Sequence, residues 1–134
     1  MAGKLVINVD GGARGNPGPA AIAAVAATAG GEIVAERGEL IGSATNNVAE
    51  YRAMLLGIEL ARELEAEELE LVGDSELIVR QLQGDYKVKQ EHLRPLHART
   101  LKELMDFPGW TVRHVRRDEN AAADALVNST LDAA

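Results

Sequence analysis

At Asn47 the hydrophobic period of this chain changes from about two to about 3.6, which divides it into an opening of strands and a remainder in which helices and strands alternate. Before that point, Leu5, Ile7 and Val9 alternate along residues 4–10 and the run stops at Gly11-Gly12. A turn-rich segment at 11–19 follows, and residues 20–28 and 32–41 read as two further strands joined at Gly30-Gly31. After it, Ala49, Ala53, Leu56, Leu60 and Leu64 fall on one helical stripe that Met54, Gly57 and Ala61 widen, while Arg52, Glu59, Arg62 and Glu63 take the opposite arc. Residues 69–73 form a fourth strand and 75–82 a helix. Residues 93–105 carry a weaker helical pattern with Leu93, Leu96, Leu101, Leu104 and Met105 as core candidates, 110–115 a fifth strand, and 118–131 an alanine-rich last helix. The order βββαβααβα predicts an α/β fold: a mixed five-stranded sheet, its first three strands antiparallel, flanked by helices.

A chain of 134 residues buries roughly two-thirds of its unfolded surface, so 1–134 is expected to be a single domain. The absence of cysteine excludes a disulfide scaffold, a thiolate zinc site and a cysteine nucleophile. The longest apolar stretch, 20–29, is about half of the roughly 20 residues a membrane span needs, so no membrane segment is expected. The opening Met-Ala-Gly-Lys-Leu-Val runs straight into a strand pattern without a signal peptide's apolar block, which makes the cytoplasm the expected location. A net charge of −7 argues against a uniformly basic nucleic-acid surface, but the charge is polarised. Nine acids stand against two bases from Glu50 to Glu76, and nine bases against four acids from Arg80 to Arg117.

Four acids stand out. Asp10 and Asp74 terminate strands that a crossover helix makes neighbours, and ligand sites of open α/β sheets lie beyond such strand ends. Glu50 lies on the edge of the apolar arc of its helix, and Asp124 one turn inside the last helix among alanines. Each also has a local reading: Asp10-Gly11 as a turn, Asp74 as a helix cap, Asn47 to Glu50 as a capping box, Asp124 as a solvated residue. Together they share a geometry that those readings do not require, because two strand ends, the first turn of the crossover helix and the last helix can meet at one edge of the sheet. Clustered carboxylates repel unless cations neutralise them, and hard oxygen ligands with open positions suit Mg²⁺ or Mn²⁺. Two such ions are a recurring device for attack of water on a phosphodiester.

Asp10-Gly11-Gly12, Gly15-Asn16-Pro17-Gly18-Pro19, Thr45-Asn46-Asn47-Val48-Ala49-Glu50, Asp74-Ser75, and Asn120 with Ala123-Asp124, in that order, closely resemble type 1 ribonuclease H, in a short form without the basic protrusion of its longer members. The likeness runs from residue 4 to about residue 131. It implies a ribonuclease H-like fold and a metal-dependent endonuclease that hydrolyses the RNA strand of RNA/DNA hybrids, leaving 5′-phosphate and 3′-hydroxyl ends. It also implies that Asp10, Glu50, Asp74 and Asp124 hold two Mg²⁺ or Mn²⁺ ions when substrate is bound, with Asp10 bridging both, and that Glu50 lies near the 2′-hydroxyl. By the same resemblance Gly11, Asn16 and Asn47 meet the hybrid, Thr45 joins a pocket for a DNA-strand phosphate, and Tyr86-Lys87 stands where relatives carry Trp-Lys against the DNA strand. Arg117, seven residues before Asp124, resembles an auxiliary arginine of short bacterial and archaeal members and is favoured over His114, a strand residue. A monomer is expected. The alternatives are a hybrid-binding module without turnover, suggested by the acidic charge and the few bases near Lys87, Lys89 and Arg94, and a same-fold nuclease acting on double-stranded RNA or DNA.

Overall fold

The computed structural model describes residues 2–134; Met1, with which the expected domain begins, lies outside the described residues. Its strands are β1 (Ala2–Ala13), β2 (Gly18–Thr28), β3 (Ile33–Ala44), β4 (Ala66–Gly73) and β5 (Gly109–His114). The helices are α1 (Asn46–Glu63), α2 (Glu76–Gln83), α3 (Arg94–Leu104) and α4 (Ala121–Asp132). The sheet runs β3-β2-β1-β4-β5, with β1–β2 and β2–β3 antiparallel and β1–β4 and β4–β5 parallel, which is the expected mixed sheet. β1 is central, and each parallel step is made by a helical crossover.

Helices cover both faces, which explains the composition of β2. Ala20, Ile22, Ala24 and Ala26 point into the core shared with α1, while Ala21 and Ala23 pack with Val127 and Leu131 of α4. A strand pressed between two helices has room for small side chains. Along β1 the same alternation sends Leu5, Ile7 and Val9 into the α1 core, so that Asn8, Asp10 and Gly12 belong to the other face. Ala49, Ala53, Leu56 and Leu60 of the helical stripe are buried in α1 while Leu64, its C-cap, is half-buried, and Gly57 lets the helix settle on the sheet, since a Cβ there would come within 2.7 Å of Val9 and 2.9 Å of Leu71.

Three expectations need correction. Asp10 does not end β1: Gly11, Gly12 and Ala13 continue the ladder opposite Ile22, Ala21 and Ala20, because backbone pairing needs no side-chain alternation. Met105 is 75% exposed rather than in the core, because α3 ends at Leu104 and the chain turns there. The last helix starts later than residue 118, after a 3₁₀ turn at Arg117–Asn120, and residues 91–93 likewise form a 3₁₀ turn ahead of α3.

Candidate active site

Asp10 from the middle strand, Glu50 from the first turns of α1 and Asp74 just beyond β4 each offer an oxygen within 4.8 Å of the others. The local capping chemistry explains why Glu50 and Asp74 are available. The N-cap of α1 is Thr45, whose Oγ1 accepts the Val48 N–H (3.3 Å), and that of α2 is Ser75, whose Oγ accepts the Ile78 N–H (3.4 Å). The capping box from Asn47 to Glu50 and the cap by Asp74 therefore do not form. Glu50 instead accepts the Gly11 N–H at 2.7 Å. That contact depends on Gly11 having no side chain, since a Cβ there would lie 2.3 Å from the Ala49 carbonyl oxygen.

Asn120 orders the same corner from beneath. It is 1% exposed, and its amide donates to the Val9 carbonyl (2.9 Å) and to Asp74 Oδ2 (3.3 Å), while its Oδ1 accepts from Asn8 Nδ2 (2.9 Å). It thus ties the start of α4, the strand residue before Asp10 and the Asp74 carboxylate into one network. In the sequence Asn120 has no evident role, because an asparagine at a helix start carries no signal that its side chain turns inward. Asn120→Ala takes this partner from the buried Val9 carbonyl and from the half-buried Asn8 and Asp74 side chains and is expected to cost about 2–3 kcal/mol, checked by urea unfolding.

Burial holds Asp10 up to about 7 from its ordinary 3.8, helped by the charges of Asp74 and Asp124. Burial likewise raises Glu50 well above the usual carboxylate range, with Asp10 adding to the effect. Such a set carries its full negative charge at neutral pH only at a cost, and three hard carboxylate oxygens in an open cleft fit a divalent cation that offsets it. The folded chain holds the Asp10 proton more tightly than the unfolded chain, so this group's contribution is lost as pH rises from about 4 to about 7. In EDTA the Asp10→Asn protein should gain on wild type across that window, by on the order of 3 kcal/mol at its upper end, and Mg²⁺ should shrink the gap. Thermal unfolding of both proteins between pH 4 and 8, with and without the metal, checks it.

Asp124 lies outside the close trio but within side-chain hydrogen-bonding reach of Asp10. It lines the same cleft of about 450 Å³ and acts electrostatically on Asp10, but its Oδ1 pairs with Arg117 at 3.3 Å. Arg117 also lines the cleft and is 78% exposed, whereas His114 is an exposed residue at the end of β5. Gly11, Asn46 and Asn47 form part of the wall. Asn16 Oδ1 accepts the Asn46 N–H and Asn46 Oδ1 accepts the Ala13 N–H, both at 3.0 Å, which fastens the β1–β2 turn to the start of α1. Asn46, quoted in the motif without a role, is therefore a structural partner of Asn16. Tyr86 and Lys87 are not brought to the carboxylates; they line a separate cavity of about 440 Å³ with Leu77, Gln81 and Lys89. There the Arg80 guanidinium lies 5.5 Å from the centre of the Tyr86 ring.

A family described as reverse transcriptase-like matches residues 8–130. The fold superposes on the RNase H1 of the halophilic archaeon Halobacterium salinarum with a TM-score of 0.95 and 43% identity, over 98% of this chain and 99% of that one. This chain belongs to the ribonuclease H family. LC11-RNase H1, solved in complex with an RNA/DNA hybrid, is 42% identical with a TM-score of 0.91, over 96% of this chain and 97% of that one. The ribonuclease HI of Halobacterium salinarum is 43% identical over 130 residues, 97% of this chain. A bifunctional protein of Mycobacterium tuberculosis is 43% identical over 132 residues, 98% of this chain. The chain spans 65% of the first protein's length and 36% of the second's. Use of a divalent metal follows from the family and accords with the acidic trio.

Proposed function

We propose that this chain, with residues 1–134 as one ribonuclease H domain, cleaves the RNA strand of RNA/DNA hybrids endonucleolytically, leaving 5′-phosphate and 3′-hydroxyl ends. The observation that carries the reading is the convergence of Asp10, Glu50 and Asp74 within 4.8 Å at an open cleft. The hybrid bound by LC11-RNase H1, at 42% identity, supports the choice of substrate. Asp10, Glu50 and Asp74 would hold Mg²⁺ or Mn²⁺, with Asp124 completing the set for two ions when substrate is present. Bound there, the ions would neutralise the carboxylates and the charge that builds up as water displaces the 3′ oxygen from phosphorus.

The chain's own residues do the remaining work. The Gly11 N–H fixes one oxygen of Glu50, which orients that carboxylate toward the 2′-hydroxyl of RNA. Arg117, exposed and held among the described residues only by Asp124, can turn to a substrate phosphate and so leave Asp124 free to ligate. Asn16 and Asn47 meet the minor groove, and Thr45 and the Tyr86-Lys87 cavity meet the DNA strand, one by hydrogen bonding and the other by aromatic stacking with a cation. We further propose that the protein works as a monomer in the cytoplasm; among the described residues no helix is long and apolar enough to cross a membrane. Competition between labelled hybrid, double-stranded RNA and double-stranded DNA tests the substrate. The expected result is preference for hybrid by more than about 100-fold, and equal cleavage of double-stranded RNA would overturn it.

A further inference from the structure

The cleft is lined by four carboxylates, Asp10, Glu50, Asp74 and Asp124, and among the described residues lining it only Arg14 and Arg117 are cations. A phosphodiester strand entering such a cleft needs positive charge beyond that of any metal. Arg117 is already accounted for. Resting on the ribonuclease reading, we propose that Arg14 grips a backbone phosphate of the RNA strand and that Asp132 occupies its guanidinium until substrate arrives.

Arg14 is the first residue beyond β1. Asp10, Gly12 and Arg14 line the same cleft, and Gly12 between them leaves the floor open from Asp10 to Arg14. At a strand's rise, four residues span roughly 13 Å, within the reach of a few nucleotides of one strand. The guanidinium now bonds Asp132 Oδ1 at 2.6 Å and the Asn128 carbonyl at 3.5 Å, both near the end of α4. Both bonds use Nη2, which leaves Nε and Nη1 uncommitted among the described residues. Arg14 is 49% and Asp132 67% exposed, so the pair is a solvent-exposed bridge of the kind that contributes little to stability. A phosphate offers the planar fork a bidentate partner that is anionic like Asp132, so the exchange disturbs no buried contact.

The test measures hybrid affinity and its salt dependence in Mg²⁺ with Asp10→Asn protein carrying Arg14, Arg14→Ala, Arg14→Lys or Asp132→Asn, together with KM and kcat in the otherwise wild-type chain. Arg14→Ala should weaken affinity and raise KM about 5–10-fold at low salt, change kcat less than about twofold, and reduce the slope of log affinity against log salt by about 1. Arg14→Lys should recover part of the loss, and Asp132→Asn should tighten binding about 2–3-fold by releasing the guanidinium. An unchanged affinity and slope in Arg14→Ala overturns the proposal, as does Asp132→Asn weakening binding like Arg14→Ala, since a brace rather than a reserve is then being removed. Failure of the wild-type chain to cleave hybrid contradicts the ribonuclease reading instead, and the binding measurements still decide the role of Arg14.

Discussion

Asp10→Asn protein should fold normally and cleave hybrid on the order of 10³-fold or more slowly than wild type. The substitution keeps the size of a side chain that is 7% exposed at the centre of the sheet, so packing against its neighbours is retained. It turns one of three carboxylates whose oxygens lie within 4.8 Å of each other into a neutral amide, and so removes charge that would draw a divalent ion between Glu50 and Asp74. The loss should appear in kcat more than in KM, because the carboxylate meets the reacting phosphate and not the length of the duplex. Initial rates on an end-labelled hybrid, with circular dichroism as the folding control, check it. A protein that kept more than about a tenth of wild-type activity would remove Asp10 from the metal set.

Gly11→Ala should do more damage than any other single methyl group added to this cleft. Its Cβ would lie 2.3 Å from the Ala49 carbonyl oxygen, 2.4 Å from the carbonyl carbon and 2.8 Å from the Glu50 nitrogen. All three are backbone atoms, so no side-chain rotation relieves the clash and α1 must lift away from β1. That is expected to cost at least about 3 kcal/mol. It also lengthens the 2.7 Å bond from the Gly11 N–H to Glu50, and a carboxylate displaced by about 1 Å is enough to slow turnover about 100-fold. Gly12→Ala is the comparison: its nearest neighbour would be the Val127 side chain at 3.5 Å, an ordinary contact, and its effect should stay within about 1 kcal/mol. Equal unfolding midpoints for the two variants would show that α1 does not rest on Gly11 as described.

Much of this geometry was legible in the residues. The change of period at Asn47 and the glycine breaks identify every strand and helix in order, because amphipathic patterning reports which face of an element is buried. The boundaries were harder, and the reasons are local. β1 runs past Asp10 on backbone pairing alone, through two glycines that carry no alternation. Met105 fits the apolar pattern of α3, but the helix has ended before it.

The site divides in the same way. Asp10, Glu50 and Asp74 could be expected to converge because two neighbouring strands and a crossover helix carry them, and the structure brings them together. Hydroxyl side chains at Thr45 and Ser75 supply the caps, which leaves the acids free of that role. Asn120 could not be given its role from sequence, since nothing in an asparagine near an alanine-rich helix tells that it is 1% exposed and bonded to Asp74. The separate cavity of Tyr86 and Lys87 was equally hidden, because it depends on how the segment after α2 folds back over Gln81.

The most direct test of the account uses one RNA/DNA hybrid labelled on each strand in turn, incubated with the wild-type chain in Mg²⁺, in Mn²⁺ and in EDTA, beside Asp74→Asn protein in Mg²⁺. The account predicts cuts in the RNA strand alone, bearing 5′-phosphate and 3′-hydroxyl ends, and their disappearance both in EDTA and in the variant. Cleavage that persists in EDTA, or cuts in the DNA strand at a comparable rate, would contradict it.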